Sequence, residues 1–512
     1  MEIANLIRHG AERYAERPAL ICADTVYSYA EVYKRSCRLG NALAGLGIEP
    51  GDRVATLTDN SPEALELILG IALAGCVRAS LYTHNSAETN RYLLDTIGAT
   101  VLIVQHRHYD IIAPQLKAAG TVRHVLVLEG PAPADALDYE ELLAGASADD
   151  PGVEVAEETP QTIRFSAGTT GKPKCITHSV RAWTGMGSEM ATVLPELTCQ
   201  DSYLAAGPLS HATIMPVFAV LAAGGAVVVL RAFDPGQFLA AVQRHRCTVA
   251  FGVPTMVELV ARHPAALTTD LSSLRVFVYG GAPMTETALA EAREVFGDIM
   301  LQMYGQSEVA PVSVLLPEEH TAQDGRWARS AGRATSNTRI TIVDESGAEL
   351  PQGQIGEVAA ATPGAFTEVW GDPEATCARK LPDGSILTRD MGYLDEEGYL
   401  FLTDRKEDLI ISGGFNIWPA ELENALVAHP AVQEASVVGI PDPKWGETPM
   451  ALVVLAPGAS ASEDELISWT RDRLGPVKRV THVRFDAELP RTPVGKVLRR
   501  VVRDQYGPGT TQ

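Results

Sequence analysis

The chain lacks several features that mark whole classes of protein. Its seven cysteines are scattered singly and no C-x-x-C pair occurs, which argues against a disulfide framework or a zinc site. The formal net charge of −22 leaves no basic excess to neutralise a nucleic acid backbone. The longest apolar run, at 217–230, is interrupted by two glycines and is too short to span a bilayer. The charged N-terminus lacks the apolar core of a signal peptide. We therefore expect a cytoplasmic protein with no nucleic acid partner and no integral membrane segment.

The length and the local patterns predict the fold class. A chain of 512 residues exceeds one ordinary hydrophobic core, so two or more domains are expected. Along residues 1–128, and again from residue 162, short β-rich runs alternate with helical patterns, which predicts an α/β fold with parallel sheets. Residues 339–361 predict short antiparallel strands. After residue 404 the pattern restarts as a small α+β domain of about a hundred residues, within the usual range of domain sizes.

Periodicity, caps and turn residues also predict individual elements. Helices are predicted at Ser28–Gly45, at Pro62–Leu73 after the cap Ser61, at Pro419–Ala428 and at Glu463–Leu474. Strands are predicted at Arg53–Thr58, His124–Leu128, Thr162–Phe165, Val249–Phe251, Leu274–Tyr279, Val432–Ile440 and Pro449–Leu455.

The segment Phe165–Lys174, FSAGTTGKPK, is the richest in binding chemistry. It combines glycines, hydroxyl residues and lysines in ten positions. Backbone N–H groups of such a turn form an anion-binding concavity, so the segment predicts a loop that holds a polyphosphate. A plain Gly-rich hairpin turn is the alternative. A Walker A loop fits less well, because Ser166 stands in place of the first glycine and Pro173 follows the lysine.

Four further segments carry suitable chemistry, although each alone is compatible with an ordinary turn, cap, linker or tail. They are LQMYGQSE at 301–308, TRDMGY at 388–393, the charged and double-glycine stretch at 404–421, and PRTPVGKVLRR at 490–500. A tyrosine ring can stack on a purine, and a glutamate can hold Mg²⁺ together with substrate phosphates. An aspartate before a glycine turn can hydrogen-bond paired ribose hydroxyls.

In order and spacing, these five segments resemble the adenylate-forming superfamily, which includes acyl-CoA synthetases, adenylation domains and luciferases. The resemblance covers nearly the whole chain. It implies a large N-terminal domain at 1–403, made of two α/β subdomains plus a small β-barrel. It also implies a small mobile α+β C-terminal domain at 404–512.

The resemblance implies a role for each matching residue. Lys496 would be the adenylation lysine, Glu308 would bind Mg²⁺, and Thr169 would act at the phosphates. Glu407 would be the hinge, and Gly413 and Gly414 would pass a pantetheine arm of coenzyme A. The implied acyl-substrate residues are His211, Tyr279 and Gly280. The implied nucleotide-binding residues are Ser166, Gly168, Thr169, Thr170, Gly171, Lys174, Gly281, Ala282, Pro283, Tyr304, Gly305, Ser307, Asp390 and Arg405.

The implied activity is ATP-dependent conversion of a carboxylic acid to an acyl-adenylate, followed by transfer to the thiol of CoA. No carrier domain is seen after the last motif, which favours CoA as the acceptor. Alternatives are loading of a carrier-protein phosphopantetheine, specialisation for one half-reaction, and a non-catalytic ATP-binding regulator. Specialisation for one half-reaction is kept open by departures from the family pattern at Ala167, Cys175 and Arg389. A further departure is Trp418, which stands where tyrosine is common.

Substrate identity is not encoded in any local motif. Residues 183–190, 211–217 and 279–281 are expected near the acyl group, and Met186, Met190 and Tyr279 suggest an apolar pocket. We expect a medium-sized apolar acid, either aromatic, alicyclic or aliphatic. A homodimer is expected only by analogy with the family.

Overall fold

A computed structural model of the protein describes residues 3–118, 120–166, 173–321, 329–412, 415–491 and 497–506. The chain divides into two compact units. Unit 1 comprises Met1–Ile340 and Ala360–Ile386, and unit 2 comprises Thr341–Ala359 and Leu387–Gln512. The domain boundary between residues 403 and 404 stays a prediction.

The helices of the described residues are α1 (Ile3–Tyr14), α2 (Tyr29–Gly45), α3 (Ala64–Leu73), α4 (Ala87–Ile97), α5 (His106–Leu116), α6 (Tyr139–Gly145), α7 (Val180–Val193), α8 (Met215–Ala222), α9 (Pro235–His245), α10 (Pro254–Ala261), α11 (Glu286–Phe296), α12 (Pro373–Cys377), α13 (Pro419–Val427), α14 (Glu463–Leu474) and α15 (Arg499–Tyr506).

Their strands are β1 (Pro18–Cys22), β2 (Thr25–Ser28), β3 (Arg53–Leu57), β4 (Val77–Ser80), β5 (Val101–Gln105), β6 (His124–Leu128), β7 (Leu137–Asp138), β8 (Pro160–Ser166), β9 (Lys174–Ser179), β10 (Ser202–Ala205), β11 (Ala226–Val229), β12 (Val249–Gly252), β13 (Val276–Gly280), β14 (Met300–Tyr304), β15 (Ser313–Leu315), β16 (Arg333–Ala334), β17 (Arg339–Val343), β18 (Gly356–Ala361), β19 (Glu368–Val369), β20 (Ile386–Leu394), β21 (Leu400–Arg405), β22 (Ile410–Ser412), β23 (Phe415–Ile417), β24 (Val432–Asp442), β25 (Gly446–Leu455) and β26 (His482–Phe485).

Unit 1 contains two large sheets. The first has the order β19-β9-β8-β4-β3-β5-β6-β7, and its strands from β8 to β7 run parallel. The second has the order β16-β15-β14-β13-β12-β10-β11-β1-β2, with parallel pairing from β14 to β1. Helices cover these sheets because parallel strands are connected by helical crossovers. The predicted α/β class is confirmed.

Local sequence explains where several helices begin. The Ser28 side chain accepts a hydrogen bond from the backbone N–H of Glu31, and Glu31 accepts one from the N–H of Ser28, so α2 begins with a reciprocal cap. The prediction that Ser61 caps the next helix is wrong. Residues 62 and 63 form a turn, α3 begins at Ala64, and its cap position is Glu63 with no side-chain cap bond.

Unit 2 contains smaller sheets. Strands β17, β18, β20 and β21 form a four-stranded sheet in the region of the expected barrel. Strands β23, β22, β25 and β24 form a second sheet, to which β26 adds by parallel pairing with β25. The faces of α13 and α14 that carry Leu422, Leu426 and Leu466 pack into its core. Among the residues described in either unit, no helix combines the length and apolarity that a membrane crossing requires.

Candidate active site

The candidate residues of unit 1 follow the carboxyl ends of neighbouring parallel strands. His211 lies in the segment after β10, the turn Gly280-Gly281 follows β13, and Tyr304 ends β14. Parallel strands place these ends along one edge of the sheet, which is where open α/β sheets bind ligands. The fold therefore brings together three segments that are far apart in the chain, and one of them, 301–308, is among the five that the sequence singled out.

The predicted phosphate loop connects two antiparallel strands. Ser166 at the end of β8 is the register partner of Lys174 at the start of β9. The two strands are thus connected as a hairpin, which agrees with the alternative interpretation of this segment and is compatible with phosphate binding. Residues Ala167, Gly168, Thr169, Thr170 and Gly171 lie outside the described residues, and their role stays a prediction.

The glycine turn after β13 is sterically required. A Cβ on Gly280 would lie 2.3 Å from the backbone oxygen of Met303, and Gly281 has φ +83°. Only glycine meets both conditions without strain. Ala282 and Pro283 follow on the exposed surface. Tyr279, by contrast, is buried in the core of the second sheet, where its hydroxyl lies 3.1 Å from Gln302 Oε1 and 3.0 Å from His320 Nε2.

Glu308 is buried and paired with an arginine that the sequence reasoning missed. Arg379 donates from Nη1 to Glu308 Oε1 at 3.1 Å and from Nη2 to Gln306 Oε1 at 3.2 Å. The backbone oxygen of Glu308 accepts a hydrogen bond from Phe366 N at 2.7 Å. These contacts hold the carboxylate in one orientation next to Tyr304, Gly305 and Ser307. Arg379 carries no local motif, so only the fold identifies it as the partner of Glu308.

The donor set suits Mg²⁺ that arrives with a nucleotide. The described residues contain no cluster of three or more His, Cys, Asp or Glu side chains able to hold a metal ion by themselves. Mg²⁺ is usually bound through one or two carboxylates plus substrate phosphates. Glu308 supplies one carboxylate, of which Arg379 engages Oε1. The residues present therefore fit a metal shared with substrate phosphates.

His211 is held against an aromatic ring. Its imidazole stacks on Tyr82, with ring centroids 4.3 Å apart, and its Nδ1 lies 2.8 Å from Ser210 Oγ. Burial, and next the positive charge of Arg164, lower the pKa of His211 to about 4. The ring is therefore neutral at pH 7.

Asn60 fixes the segment that carries His211. Its Nδ2 donates to Gly207 O at 2.8 Å and to Leu230 O at 3.0 Å, and its Oδ1 accepts from Leu209 N at 3.0 Å. This side chain, which follows β3, thus ties the first sheet to the loop after β10. The sequence reasoning did not select Asn60, because an asparagine after a strand usually indicates only a turn.

We expect Asn60→Ala to lower the free energy of unfolding by about 2–4 kcal/mol, because it leaves buried backbone groups without partners. Because the resemblance implies that His211 borders the acyl group, displacement of His211 should also raise KM for the carboxylic acid. Urea unfolding and steady-state kinetics measure the two effects. Asn41→Ala, which removes an exposed amide that bonds Ser147 O and Asp149 O, serves as the control and should change KM little. An unchanged KM in Asn60→Ala would contradict the positioning role.

A second buried histidine makes unfolding sensitive to pH. Burial, and next the charge of Arg164, lower the pKa of His178 to about 3, whereas an unfolded histidine has a pKa of about 6.5. Between pH 6.5 and 4 the unfolded chain binds the extra proton, so acidification lowers the free energy of unfolding. We expect His178→Gln to reduce that pH slope by up to about 1.4 kcal/mol per pH unit. Denaturant titrations between pH 4.5 and 7.5 measure it, and an unchanged slope would contradict the assignment.

In unit 2, Asp390 and Arg405 are register partners on β20 and β21. Asp390 is buried, and its backbone N–H donates to Thr388 Oγ1 at 3.1 Å. Arg389 has φ +65°, a left-handed conformation that disfavours side chains other than glycine. This conformation explains why the resembling family has glycine there. The Arg389 N–H donates to Glu357 Oε1 at 3.1 Å, which helps to hold the strained residue.

The remaining predicted residues belong to the C-terminal part of the chain. Glu407 lies in a single 3-10 turn at Lys406–Asp408. Gly413, Gly414 and Lys496 lie outside the described residues. Their roles, and that of Glu407 as a hinge, stay predictions.

Comparison with known proteins extends the similarity over nearly the whole chain. The family model for AMP-binding enzymes matches residues 7–370, and the model for the AMP-binding enzyme C-terminal domain matches residues 421–496. A feruloyl-CoA synthase of Amycolatopsis sp is 36% identical over 508 residues, which cover 98% of this chain and 96% of that protein. The fatty acid--[acyl-carrier-protein] ligase ScoC of Streptomyces coeruleorubidus is 33% identical, with 97% and 95% covered. The amide bond synthetase McbA from Marinactinospora thermotolerans superposes with a TM-score of 0.89 at 31% identity, over 98% of this chain and 100% of that one.

Proposed function

The chain belongs to the AMP-binding enzyme family, and from that membership we propose that it makes an acyl-CoA from a free carboxylic acid, ATP and CoA. It is an AMP-forming acid–thiol ligase. The observation that carries the proposal is the match of both family models, at 7–370 and 421–496, together with 36% identity to a CoA ligase along 98% of the chain.

The first half-reaction joins two anions. A carboxylate oxygen of the acid attacks the α-phosphorus of ATP, the bond to the bridging oxygen breaks, and pyrophosphate leaves. The protein must offset the negative charge that accumulates and hold the reacting atoms in line. Bound Mg²⁺ would screen the phosphate charge and polarise the phosphoryl oxygens. Glu308, oriented by Arg379, would hold that ion, and Lys496 would place an ammonium group at the reacting centre.

The other named residues would bind and orient the nucleotide. Asp390 would accept hydrogen bonds from both ribose hydroxyls, with Arg405 next to it in the sheet. Tyr304 would stack on adenine beside the glycine turn at 280–281, and Ser307 would contact the α-phosphate. Ser166 and Lys174 would flank the β- and γ-phosphates. The neutral ring of His211 would border the acyl group without adding a charge.

The second half-reaction forms the thioester. The CoA sulfur attacks the acyl carbon, the bond to the phosphate oxygen breaks, and AMP leaves. The segment 404–512 would rotate about Glu407 between the two steps, withdrawing Lys496 and presenting Gly413 and Gly414 to the pantetheine arm. No covalent protein nucleophile is needed, so the cysteines need no catalytic role.

Product analysis with competing acceptors tests the choice of thiol. The enzyme is incubated with ATP, Mg²⁺ and a panel of carboxylic acids, and with either free CoA or a phosphopantetheinylated carrier protein. We expect an acyl-CoA and AMP in equal amounts with free CoA. A product only with the carrier protein would favour the carrier-loading alternative. The similarity to ScoC, an acyl-carrier-protein ligase, is the reason for including that acceptor. A product with an added amine would instead extend the likeness to the amide bond synthetase.

The acyl pocket, the location and the assembly of the protein complete the proposal. Met186, Met190 and Trp183 lie buried on α7 in one core cluster, which supports apolar walls for an acyl pocket. We propose a medium-sized acid on that basis, a cytoplasmic location from the scattered free cysteines, and a homodimer by family analogy.

A further inference from the structure

One face of the first sheet is polar although it is buried. Thr56 on β3, Arg78 and Ser80 on β4, and Thr162 and Arg164 on β8 are all at most 9% exposed. Thr56 pairs with Ser80 and Arg78 pairs with Thr162, so strand alternation places all five residues on the same face. A parallel sheet that is covered on both sides normally has apolar side chains there. Two arginines in its centre therefore need an explanation.

Neither arginine has a carboxylate partner among the described residues. The buried carboxylates of unit 1 are bound elsewhere: Glu66 to Arg35, Glu189 to Asn337, Asp201 to Arg275, and Glu308 to Arg379. A guanidinium stays charged in proteins, and a buried charge without a counter-charge is strongly unfavourable. Burial, and next the charge of Arg164, lower the pKa of Arg78 to about 10, so each arginine also opposes the other.

The side chain of Arg164 lies among residues expected at the acyl group. Its guanidinium carbon is 5.8 Å from the ring centroid of Trp183, and its Nη1 is 4.0 Å from Met186 Sδ. The same charge lowers the pKa of His211. Burial lowers the pKa of Arg164 and the charge of Glu308 opposes that shift, but the Glu308 carboxylate is already bonded to Arg379. Apolar and aromatic walls thus surround a cation that has no bonded counter-anion among the described residues.

Arg78 lines a cavity next to the segment 208–210. Thr56, Asn60, Ser80 and Ser210 share this cavity with the guanidinium. Asp59 also lines it, but its carboxylate is already bonded to Thr83, His108 and Arg107. Ser210 thus lines the same cavity as Arg78, and the charge of Arg164 lowers the pKa of the neighbouring His211.

We propose that Arg164, supported by Arg78, binds an anionic oxygen group on the far end of the acid substrate, so that the substrates are dicarboxylic acids or acids with an equivalent second anion. This inference rests on the proposed function and changes one part of it, because the acyl pocket then has apolar walls and a cationic end. The reacting carboxylate does not serve as a lasting counter-charge for Arg164. It becomes uncharged in the acyl-adenylate and the thioester, whereas a second carboxylate stays ionised through both half-reactions.

Matched acids test the proposal. The wild-type enzyme is assayed with hexanedioate against hexanoate and with benzene-1,4-dicarboxylate against benzoate, and AMP and thioester are measured. We expect kcat/KM to favour the diacid of at least one pair by roughly 10- to 100-fold, because a site built around a charged donor rejects an analogue without the acceptor. We expect Arg164→Met to remove the preference by lowering the diacid rate alone. Arg78→Met should also lower the rate with the diacid, by a smaller factor.

A binding measurement separates this inference from the proposed function. The diacid should raise the melting temperature of the wild-type protein, in the absence of ATP, and should not raise that of Arg164→Met. If that shift occurs but no acid yields AMP, the site stands and the proposed function falls. Arg164→Lys keeps the charge without the planar fork and should restore part of the preference.

Two results would overturn the inference. One is a wild-type enzyme that favours the monoacid in both pairs and is not stabilised by either diacid. The other is an Arg164→Met protein, folded and ATP-binding, that loses activity equally with both members of a pair, since that would assign Arg164 to the reacting carboxylate. If Arg164→Met does not fold, the wild-type acid preference and the Arg78→Met variant decide.

Discussion

Replacement of Lys496 by alanine is expected to lower the rate of acyl-adenylate formation by about 10²- to 10³-fold, while thioester formation from supplied acyl-adenylate continues. In the first half-reaction the ammonium group offsets negative charge that develops between two reacting anions, and the loss of one such group in a preorganised site has an effect of this size. In the second half-reaction AMP leaves as an already formed anion, and the lysine is withdrawn. Pyrophosphate exchange measures the first step, and CoA consumption with synthetic acyl-adenylate measures the second.

The control for this prediction is Lys478→Ala. Lys478 lies in the same C-terminal part of the chain and forms an ion pair with Glu421 at 2.9 Å. Its removal should change the rate of either half-reaction little. The ion pair is partly exposed, and such a pair contributes little to stability, so the variant should stay folded. Equal loss of both half-reactions in Lys496→Ala would contradict the assignment of this lysine to adenylation.

Replacement of Glu308 by glutamine should reduce kcat/KM for ATP by about 10²-fold or more and raise the Mg²⁺ concentration needed for half-maximal rate. A neutral amide is a poorer ligand for a hard cation than a carboxylate. The change also removes the counter-charge of the buried Arg379, so we expect the free energy of unfolding to fall by about 1–3 kcal/mol. Magnesium titrations of the initial rate and urea unfolding measure the two effects separately.

Glu66→Gln is the matched control. Glu66 is another buried carboxylate of unit 1, bonded to Arg35 and to Tyr139 Oη at 2.7 Å. This variant should lose comparable stability and keep the Mg²⁺ dependence of the wild-type enzyme. If Glu308→Gln shifted stability alone, the carboxylate would be a structural partner of Arg379 and not the metal ligand.

Much of the fold was predictable because local signals and tertiary packing agree. Helix α14 and strand β6 occur at the predicted positions, and α2 begins after its reciprocal Ser28–Glu31 cap. The start of α3 was not predictable from the cap rule. Ser61 has the right chemistry, but its backbone oxygen bonds Ala64 N in a turn that precedes the helix. This local turn therefore moved the helix boundary by two residues.

The site was predictable only where its residues stand in short segments. Tyr304, Glu308 and Asp390 were predicted as site residues because glycines and charges cluster around them in sequence. Arg379 lies 71 positions from Glu308, and Asn60 lies 147 positions from Gly207, so no local pattern joins either pair. Arg164 falls within a predicted strand and Arg78 within none, and their shared face becomes evident only once the strand register is known.

The central claim is that the acid's own carboxylate attacks the α-phosphorus of ATP. An acid labelled with ¹⁸O in both carboxylate oxygens tests this most directly, with ATP, Mg²⁺ and CoA present and the released nucleotide analysed by mass spectrometry. The account predicts that each AMP carries one labelled oxygen and that the pyrophosphate carries none. Label in inorganic phosphate together with ADP, or AMP without label, would contradict it.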